Sequence, residues 1–503
     1  MGSSNPVTSF INALRKESNK TFTENGALTN KSSLDGLLDF FATGAAMRLQ
    51  SEEDILSLFL KAFSEDKLLA LKTLFYFRDC RKGQGERRLF RTILKYLANN
   101  YPEIVIKNIS LIPFYGRWDD LFVLFDTKCE MEMMNYVLNQ LNDDVNNYEK
   151  NQNVSLLAKW MPSINTSSYY TVSIAKKFIN RLGIKEKGYR KMLSLLRGYI
   201  KVVEKQMCSN EWNIIEYSKV PSKAMLTYEH AFQRHDTSRF DKYINDVKEG
   251  KTKINSSVLY PSDLVAKSFS LTSEDSTSIS VLDEQWKVLP NYISGDQQKN
   301  ILVVADTSGS MFDAIGSIYV SIALALYCSE RINGPFKNYW MSFSEEPTFQ
   351  EVTGNNLFEK IKLLDRELWG CNTNLLAVFR LILDKIYDLE VEKNRKLKEN
   401  EIPTHILIIS DMEFDQGSNS RQTNFEEIKD MYEEAGYNLP KLVWWNVASR
   451  QKNVPITKDN NGNVMVSGYS PSILQYILGT DEYNPIDMML EVIQSERYKD
   501  VTI

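Results

Sequence analysis

The chain changes its hydrophobic period part-way along. From about Leu34 to Asp246 apolar residues recur mostly at helical spacing, as in Ile55-Leu56-Leu58-Phe59-Leu60-Ala62-Phe63 and Leu68-Leu69-Leu71-Leu74-Phe75. Such spacing predicts paired amphipathic helices broken by polar or Gly-containing turns. Strand-type alternation is scarce there, which suggests stacked helix pairs of a HEAT-like helical repeat, with no fixed sequence period. After residue 299 short apolar runs alternate with helical patterns. Strands are predicted over 301–306, 339–343, 405–410 and 441–447, and helices over 314–331, 356–364, 375–387 and 424–435. That alternation predicts a doubly wound α/β sheet, because strands buried on both faces read as continuous apolar runs.

Residues 255–299 separate the two regimes. They are rich in Ser, Thr, Asp and Gln, and Ser268 to Ser280 holds six Ser and two Thr. They read as a linker or exposed insertion. The expected layout is therefore multi-domain: an N-terminal extension over 1–33, an all-α domain over 34–254, the linker over 255–299 and an α/β domain over 300–503. Residues 390–402 form a charged excursion expected at the surface.

A length of 503 residues suits two to four domains, and 43% hydrophobic with 25% charged residues is ordinary for a folded globular chain. No apolar run approaches the roughly 18 residues that a spanning helix needs, so no membrane is expected as a partner. The start, Met-Gly-Ser-Ser-Asn-Pro, lacks the basic residues and apolar core of a signal peptide, and Pro6 stands where myristoylation wants Ser or Thr. Cys80, Cys129, Cys208, Cys328 and Cys371 are widely spaced and contain no C-x-x-C pair. They read as reduced thiols of an intracellular, cytoplasmic protein.

The net charge of -5 hides an asymmetry: residues 1–250 carry 36 Lys and Arg against 29 Asp and Glu, and the remainder 24 against 36. One basic cluster holds Arg81, Lys82, Arg87 and Arg88. A second, between Lys159 and Lys205, sets eleven Lys and Arg against Glu186 and Glu204 alone. Within it Lys176, Lys177, Arg181, Lys187, Arg190, Lys191 and Arg197 often recur at three to four residues, so on helices many would share a face. Such a stripe is the footprint of a phosphate backbone, and Trp118, Trp160, Tyr169, Tyr170, Tyr189 and Tyr199 supply faces for unpaired bases. RNA, single-stranded or structured, is the expected nucleic acid, because no motif that reads duplex DNA is present. The other reading is a solvated, Lys-rich helical surface with its aromatics packed between helices. Arg81-Lys-Gly83-Gln-Gly85 lacks the pattern of a phosphate-binding loop and is expected to be a turn between helices.

In the acidic half, Ile301-Leu-Val-Val-Ala-Asp306-Thr-Ser308-Gly-Ser310 places a carboxylate and two hydroxyls at alternate positions after an apolar strand. Oxygens so spaced can converge on one hard divalent cation such as Mg2+. The same residue types also cap helices, and this loop alone leaves both readings open. Trp369-Gly-Cys-Asn-Thr373-Asn then adds a hydroxyl ahead of a helix, and His405-Ile-Leu-Ile-Ile-Ser410-Asp411 is a second apolar strand ending in an acid. Asp306, Ser308, Ser310, Thr373 and Asp411 thus form a candidate metal set at the strand ends, where open α/β sheets bind ligands. Glu413 and Asp415 are extra acids, most simply read as solvated.

This order and spacing resemble the von Willebrand factor A-type fold with its metal-ion-dependent adhesion site. The resemblance implies Ser308, Ser310 and Thr373 as direct ligands, Asp306 and Asp411 behind them, and a protein partner supplying a carboxylate to the metal. Helical repeats joined to an A-type domain are similar in architecture to Ro (TROVE) ribonucleoproteins, which implies RNA ends in a basic channel. Arg81-Lys-Gly-Gln-Gly-Glu86, Tyr115-Gly-Arg-Trp118-Asp-Asp120, Leu157-Ala-Lys-Trp160-Met-Pro162, Tyr217-Ser-Lys-Val-Pro221, Asp306-Thr-Ser-Gly-Ser-Met and Ser410-Asp-Met-Glu-Phe-Asp415 resemble more closely a large domain-of-unknown-function family, number 2828. Its members carry a von Willebrand A-like C-terminal part.

Only His230, His235 and His405 occur, and neither G-x-S-x-G nor H-E-x-x-H is present, so a Ser hydrolase or zincin has little support. A magnesium nuclease on Asp306, Asp411, Glu413 and Asp415 is the competing enzyme reading, but a hydroxyl-rich site suits adhesion better than hydrolysis. The sequence therefore points to a non-enzymatic RNA-binding scaffold with a magnesium-dependent partner site, or to a metal-bridged protein scaffold without RNA.

Overall fold

The structure is a computed structural model, and it describes residues 11, 14–293, 299–343, 346–364, 372–479 and 483–503. The chain divides into two compact units that do not follow its linear order. One comprises Met1–Phe77, Tyr260–Thr272 and Pro290–Tyr498, the other Arg78–Leu259, Ser273–Leu289 and Lys499–Ile503.

The first unit is α/β. Its six-stranded mixed sheet contains β3 (Ile301–Asp306), β4 (Tyr339–Phe343), β5 (Thr348–Glu351), β6 (His405–Ser410), β7 (Lys441–Asn446) and β8 (Asn463–Ser467). The spatial order is β5-β4-β3-β6-β7-β8, parallel throughout except where β4 pairs with β5. Every residue of β3 and β6 is buried, which is why both strands are apolar runs without alternation. From β3 the chain passes to β4 on one side and later to β6 on the other. The carboxyl ends of β3 and β6 therefore flank the point where the winding direction reverses, the place at which such sheets form a ligand crevice.

The predicted strands and helices of this region are present within a few residues of their expected bounds, with helices at Ser317–Arg331, Leu357–Lys362, Leu375–Lys393 and Asn424–Glu434. β5 and β8 were not predicted. Nor was the N-terminal part of the unit, where β1 (Lys20–Phe22) and β2 (Leu28–Asn30) form an antiparallel hairpin. The helix Gly36–Thr43 is buried along its whole length and lies against β7 and β8; its two polar side chains are satisfied locally, Asp39 accepting from Ser32 and Ser33 and Thr43 donating to Asp39 O. Ser467 Oγ joins it to the sheet by donating to Phe41 O at 2.8 Å.

The second unit is helical, including Arg88–Asn100, Glu130–Glu149, Tyr169–Leu182, Glu186–Tyr199, Ser222–His235 and Thr237–Lys248. Ile215, Tyr217, Phe232, Phe240, Ile244 and Val281 build one of its cores.

Residues 255–299 are not a plain linker. They carry the helices Pro261–Phe269 and Ser276–Lys287. Leu264, Val265 and Ser268 form the buried stripe of the first; Ser278, Val281, Leu282, Gln285 and Trp286 are buried in the second. A buried serine in each hid the helical period: Ser268 in the first and Ser278 in the second, where it donates to Glu229 at 2.6 Å. Among the described residues no helix is long and apolar enough to cross a membrane. Cys80, Cys129, Cys208 and Cys328 are free thiols, and Cys371 lies outside the described residues.

Candidate functional site

The site at the sheet edge starts from β3. Its last residue, Asp306, is fully buried; Oδ1 accepts the Ser308 amide at 2.9 Å and Oδ2 the Ser410 hydroxyl at 2.7 Å. The chain then turns through Gly309–Met311, which brings Ser310 Oγ to 3.0 Å from Ser308 Oγ. Ser310 in turn donates to Asp411 Oδ2 at 2.7 Å, across 101 positions of sequence. Ser410, which sequence reasoning passed over, joins the two acids, its hydroxyl lying 3.5 Å from Asp411 Oδ1 as well. The loop after β6 is held tightly: Glu413 N donates to Asp411 Oδ1 at 3.0 Å, and Met412 adopts a left-handed φ of 69°. A bulky residue in that conformation marks a backbone held under strain by its surroundings.

Thr373 reaches the same neighbourhood through its backbone. Its carbonyl accepts the Asp415 amide at 3.0 Å, its side chain is buried, and Asn374 beside it caps the helix Leu375–Lys393. The part of its expected loop at Trp369-Gly370-Cys371 lies outside the described residues.

The helix Ser317–Arg331 is preceded by Asp313, whose Oδ1 accepts the amides of Ile315 and Ser317 at 3.0 Å and whose Oδ2 accepts the Ser317 hydroxyl at 2.6 Å. The side chains of Asp306, Ser308 and Ser310 take no part in capping it.

Glu413 is not solvated, contrary to the sequence reading. It is buried; Oε1 accepts Asn453 Nδ2 at 2.9 Å and Oε2 accepts the Glu24 amide at 2.6 Å. The segment after β1 therefore crosses the loop that follows β6. Thr23 Oγ1 donates to Phe414 O and Asn25 Nδ2 to Glu413 O, both at 2.7 Å. Arg450, after β7, holds Glu24 through Nη2 at 2.8 Å and brings Nη1 to 3.9 Å from Asp411 Oδ2. No sequence signal joins Glu24 to Arg450, which lie 426 positions apart.

Electrostatically the cluster is under-compensated. Burial first, and then the Asp411 carboxylate, pushes Asp306 up to about 7; burial raises Asp411 and pushes Glu413 up to about 7. Buried carboxylates must take up a proton or gain a cation. The donor set suits a hard cation. Magnesium bonds of roughly 2.0–2.1 Å at right angles separate adjacent ligand oxygens by about 2.9 Å. The Ser308–Ser310 and Ser310–Asp411 oxygen pairs lie at 3.0 and 2.7 Å. Among the described residues no three His, Cys, Asp or Glu side chains converge as metal ligands, so a cation here would depend on hydroxyl oxygens.

The basic positions belong to the helical unit and differ sharply from one another. Lys176, Lys187, Arg190 and Lys191 are exposed, with no side-chain partner among the described residues. Lys187, Arg190 and Lys191 share the outer face of the helix Glu186–Tyr199, opposite the buried Tyr189, Leu193 and Leu196. Lys177 is paired with Asp126 at 2.6 Å and Arg181 donates to Asn135 at 3.3 Å. Arg197 is turned inward, donating to Ala158 O, Met161 O and Ser163 Oγ at 2.7–3.0 Å, and burial holds it below the usual arginine range.

Arg81 donates to Phe114 O at 2.6 Å, Lys82 is exposed, and Arg87 and Arg88 begin the helix Arg88–Asn100. The loop between is a turn closed on Asp79, whose carbonyl accepts the amides of Gly83 and Gly85 at 3.1 Å and whose Oδ1 accepts those of Arg81 and Lys82. Its amides are thus directed at Asp79 and not outward. His235 stacks on Trp212 at 4.3 Å and His230 lies 3.5 Å from Glu229, both in the helical unit.

Comparison with known proteins places the chain. A family model described as Domain of unknown function (DUF2828) matches residues 23–126 and 131–296. The chain belongs to the DUF2828 family. In this DUF2828 protein a second model, Domain of unknown function (DUF7788), matches residues 300–501, the stretch that holds the whole six-stranded sheet. An uncharacterized protein of Acanthamoeba polyphaga mimivirus is 31% identical over 516 residues, covering 95% of this chain and 87% of the relative. Likeness to it therefore extends across both units.

Proposed function

We propose that this DUF2828 protein is a non-enzymatic docking scaffold whose α/β unit is von Willebrand A-like and takes a partner's carboxylate through a magnesium ion or another divalent cation. Ser308, Ser310 and Thr373 would hold the ion, with Asp306 and Asp411 behind them and Ser410 and Glu413 fixing those acids. One observation carries the reading: buried acids joined through serine oxygens at octahedral spacing, at the point where the sheet reverses its winding. The bound cation would supply the positive charge that the cluster lacks and an open position for an acidic ligand. Hydrolysis fits less well, because metal-assisted attack on phosphate normally relies on carboxylates gripping the ion directly. The test is affinity purification of the full chain with magnesium and with EDTA. The reading expects specific proteins that are released by EDTA and lost in Ser308→Ala with Ser310→Ala; partners indifferent to both treatments would remove it.

A second function, RNA binding by the helical unit in the manner of a Ro-like ribonucleoprotein, is favoured by the outward cations Lys176, Lys187, Arg190 and Lys191. Three of these share one face of the helix Glu186–Tyr199 and Lys176 lies on the helix before it; exposed cations attract a phosphate backbone by releasing its counterions. Charge reversal at Arg190 and Lys191 should weaken binding to single-stranded RNA and flatten its salt dependence. An unchanged affinity at low salt would count against the stripe.

A further inference from the structure

Residues in and beside three of the segments that carry the family resemblance, around residues 81–87, 115–120 and 157–162, meet in the helical unit. Asp120, fully buried, accepts Arg78 Nε at 2.8 Å, Arg91 Nε at 2.7 Å and the Arg117 amide at 2.9 Å. Asp119 accepts Arg91 Nη2 at 2.7 Å and, as a fork, Arg117 Nε and Nη2 at 2.9 and 2.8 Å. These bonds fix Arg78, Arg91 and Arg117. Arg87 lies one helical turn before Arg91, whose amide its carbonyl accepts at 3.0 Å; its side chain is exposed and has no hydrogen bond or ion pair among the described residues. Partial burial, and beyond it the Arg117 and Arg91 charges, lower its proton affinity. Four guanidinium groups thus surround two carboxylates.

An ion-pair network that served the fold alone would balance its charges; this one keeps Arg87 beside two other arginines, within the field of Asp119 and Asp120 but in direct contact with no carboxylate among the described residues. Aromatic surface adjoins it. The Arg117 guanidinium lies over the Trp160 ring at 4.2 Å, the Lys159 ammonium is 5.7 Å from the same ring, and Trp118 stacks on Tyr136 at 5.8 Å. Arg117 therefore binds the acid anchor through Nε and Nη2 while its guanidinium carbon lies over the indole ring. Planar guanidinium groups prepositioned in this way suit phosphate oxygens, and half-exposed indole suits a base.

We propose that Arg87, with Arg91 and Arg117 behind it, forms a phosphate subsite for single-stranded RNA, and that Trp160 is the aromatic platform for a neighbouring base. The proposal rests on the RNA reading and deepens it, locating contact in the Arg87–Trp160 neighbourhood as well as on the lysine face of Glu186–Tyr199. RNA is favoured over a phosphorylated peptide because the cations are interleaved with aromatic faces.

The experiment is fluorescence anisotropy of the full-length chain with a labelled single-stranded oligouridylate across a salt series. Arg87→Ala should weaken binding about tenfold and reduce the log–log salt slope by about 0.7, the contribution of one phosphate on a single strand. Trp160→Phe should retain most of the affinity and Trp160→Ala lose about tenfold with the slope unchanged. Arg87→Lys, which keeps the charge, checks that the loss is not one of folding. If wild type binds the RNA and all four variants match it, this subsite is overturned while the RNA reading survives. If wild type does not bind, or binds only a phosphorylated peptide, the proposal and the RNA reading both fall.

Discussion

Arg450 brings Nη1 to 3.9 Å from Asp411 Oδ2 while its Nη2 is held by Glu24 at 2.8 Å. One guanidinium thus links the first strand's hairpin to the acidic cluster, and it lowers the proton affinity of Asp411 against the burial that raises it. A side chain so placed competes with any divalent ion held by Ser308, Ser310 and Thr373 in front of Asp411. Arg450→Gln should raise magnesium affinity by on the order of tenfold, since charges about 4 Å apart still interact by several kcal/mol at the dielectric of a protein surface. The same variant should lower the melting temperature in EDTA, where nothing replaces the lost charge. Equal magnesium affinity in both proteins would show that Arg450 does not guard the site.

Capping and ligation make separable demands on neighbouring residues. Asp313 caps the helix Ser317–Arg331, so Asp313→Ala should cost about 1–2 kcal/mol of stability and leave magnesium binding in place. Ser308→Ala with Ser310→Ala should do the reverse, abolishing metal response with a modest stability cost of about 1 kcal/mol per hydrogen bond removed. Denaturant melts with and without magnesium check both. A loss of metal response in Asp313→Ala alone would reassign the loop to capping.

The pH dependence follows from the direction of the shifts. Asp306 and Glu413 rise to about 7 in the folded protein, above their ordinary carboxylate values. Their protonated forms therefore favour folding. That contribution is complete below about pH 4 and is lost as pH rises toward 7, because ionised carboxylates are then held away from water and close to Asp411 and Glu24. In EDTA, melting temperature should fall across this window at these sites; Asp306→Asn should flatten the fall. Magnesium should restore most stability at the upper end. A profile identical in the variant would locate the titration elsewhere.

Asp120 should be among the most sensitive positions of the helical unit. It is wholly buried among Arg78, Arg91 and the Arg117 amide, and Asp120→Ala leaves those charges without their partner. About 3–5 kcal/mol of destabilisation is expected, measurable by urea unfolding. Arg197→Ala should also destabilise, by about 2 kcal/mol, because three hydrogen bonds around Ala158 and Met161 are lost. Arg190→Ala should be neutral. RNA effects of Arg197 variants would therefore report folding before they report contact.

The sequence discloses what is local. β3 and β6 are six-residue apolar runs ending in acids, so both strands and the acids at their carboxyl ends are visible without coordinates. Asp306, Ser308, Ser310 and Asp411 converge because adjacent parallel strands place their ends side by side. What the sequence hides is carried by long-range pairing. Glu24 acts on the acidic loop from 389 positions away and Asn453 from 40, with Arg450 beside it, and nothing in their immediate surroundings marks them. β8 is only five residues of mixed character, Asn-Val-Met-Val-Ser, and gains its strand from pairing with β7. Buried serines disguised the two helices of 255–299. Basic composition likewise failed to separate Arg197, which holds a loop, from Arg190, which faces outward on the same helix, seven positions away.

The most direct test of the central claim is isothermal titration of magnesium into the EDTA-stripped full-length protein at pH 7.5, beside the same titration of Ser308→Ala with Ser310→Ala. The account predicts saturable binding to one site with proton release in the wild type, and no binding heat in a variant that retains its fold. Equal binding by both proteins, or none by the wild type, would contradict it.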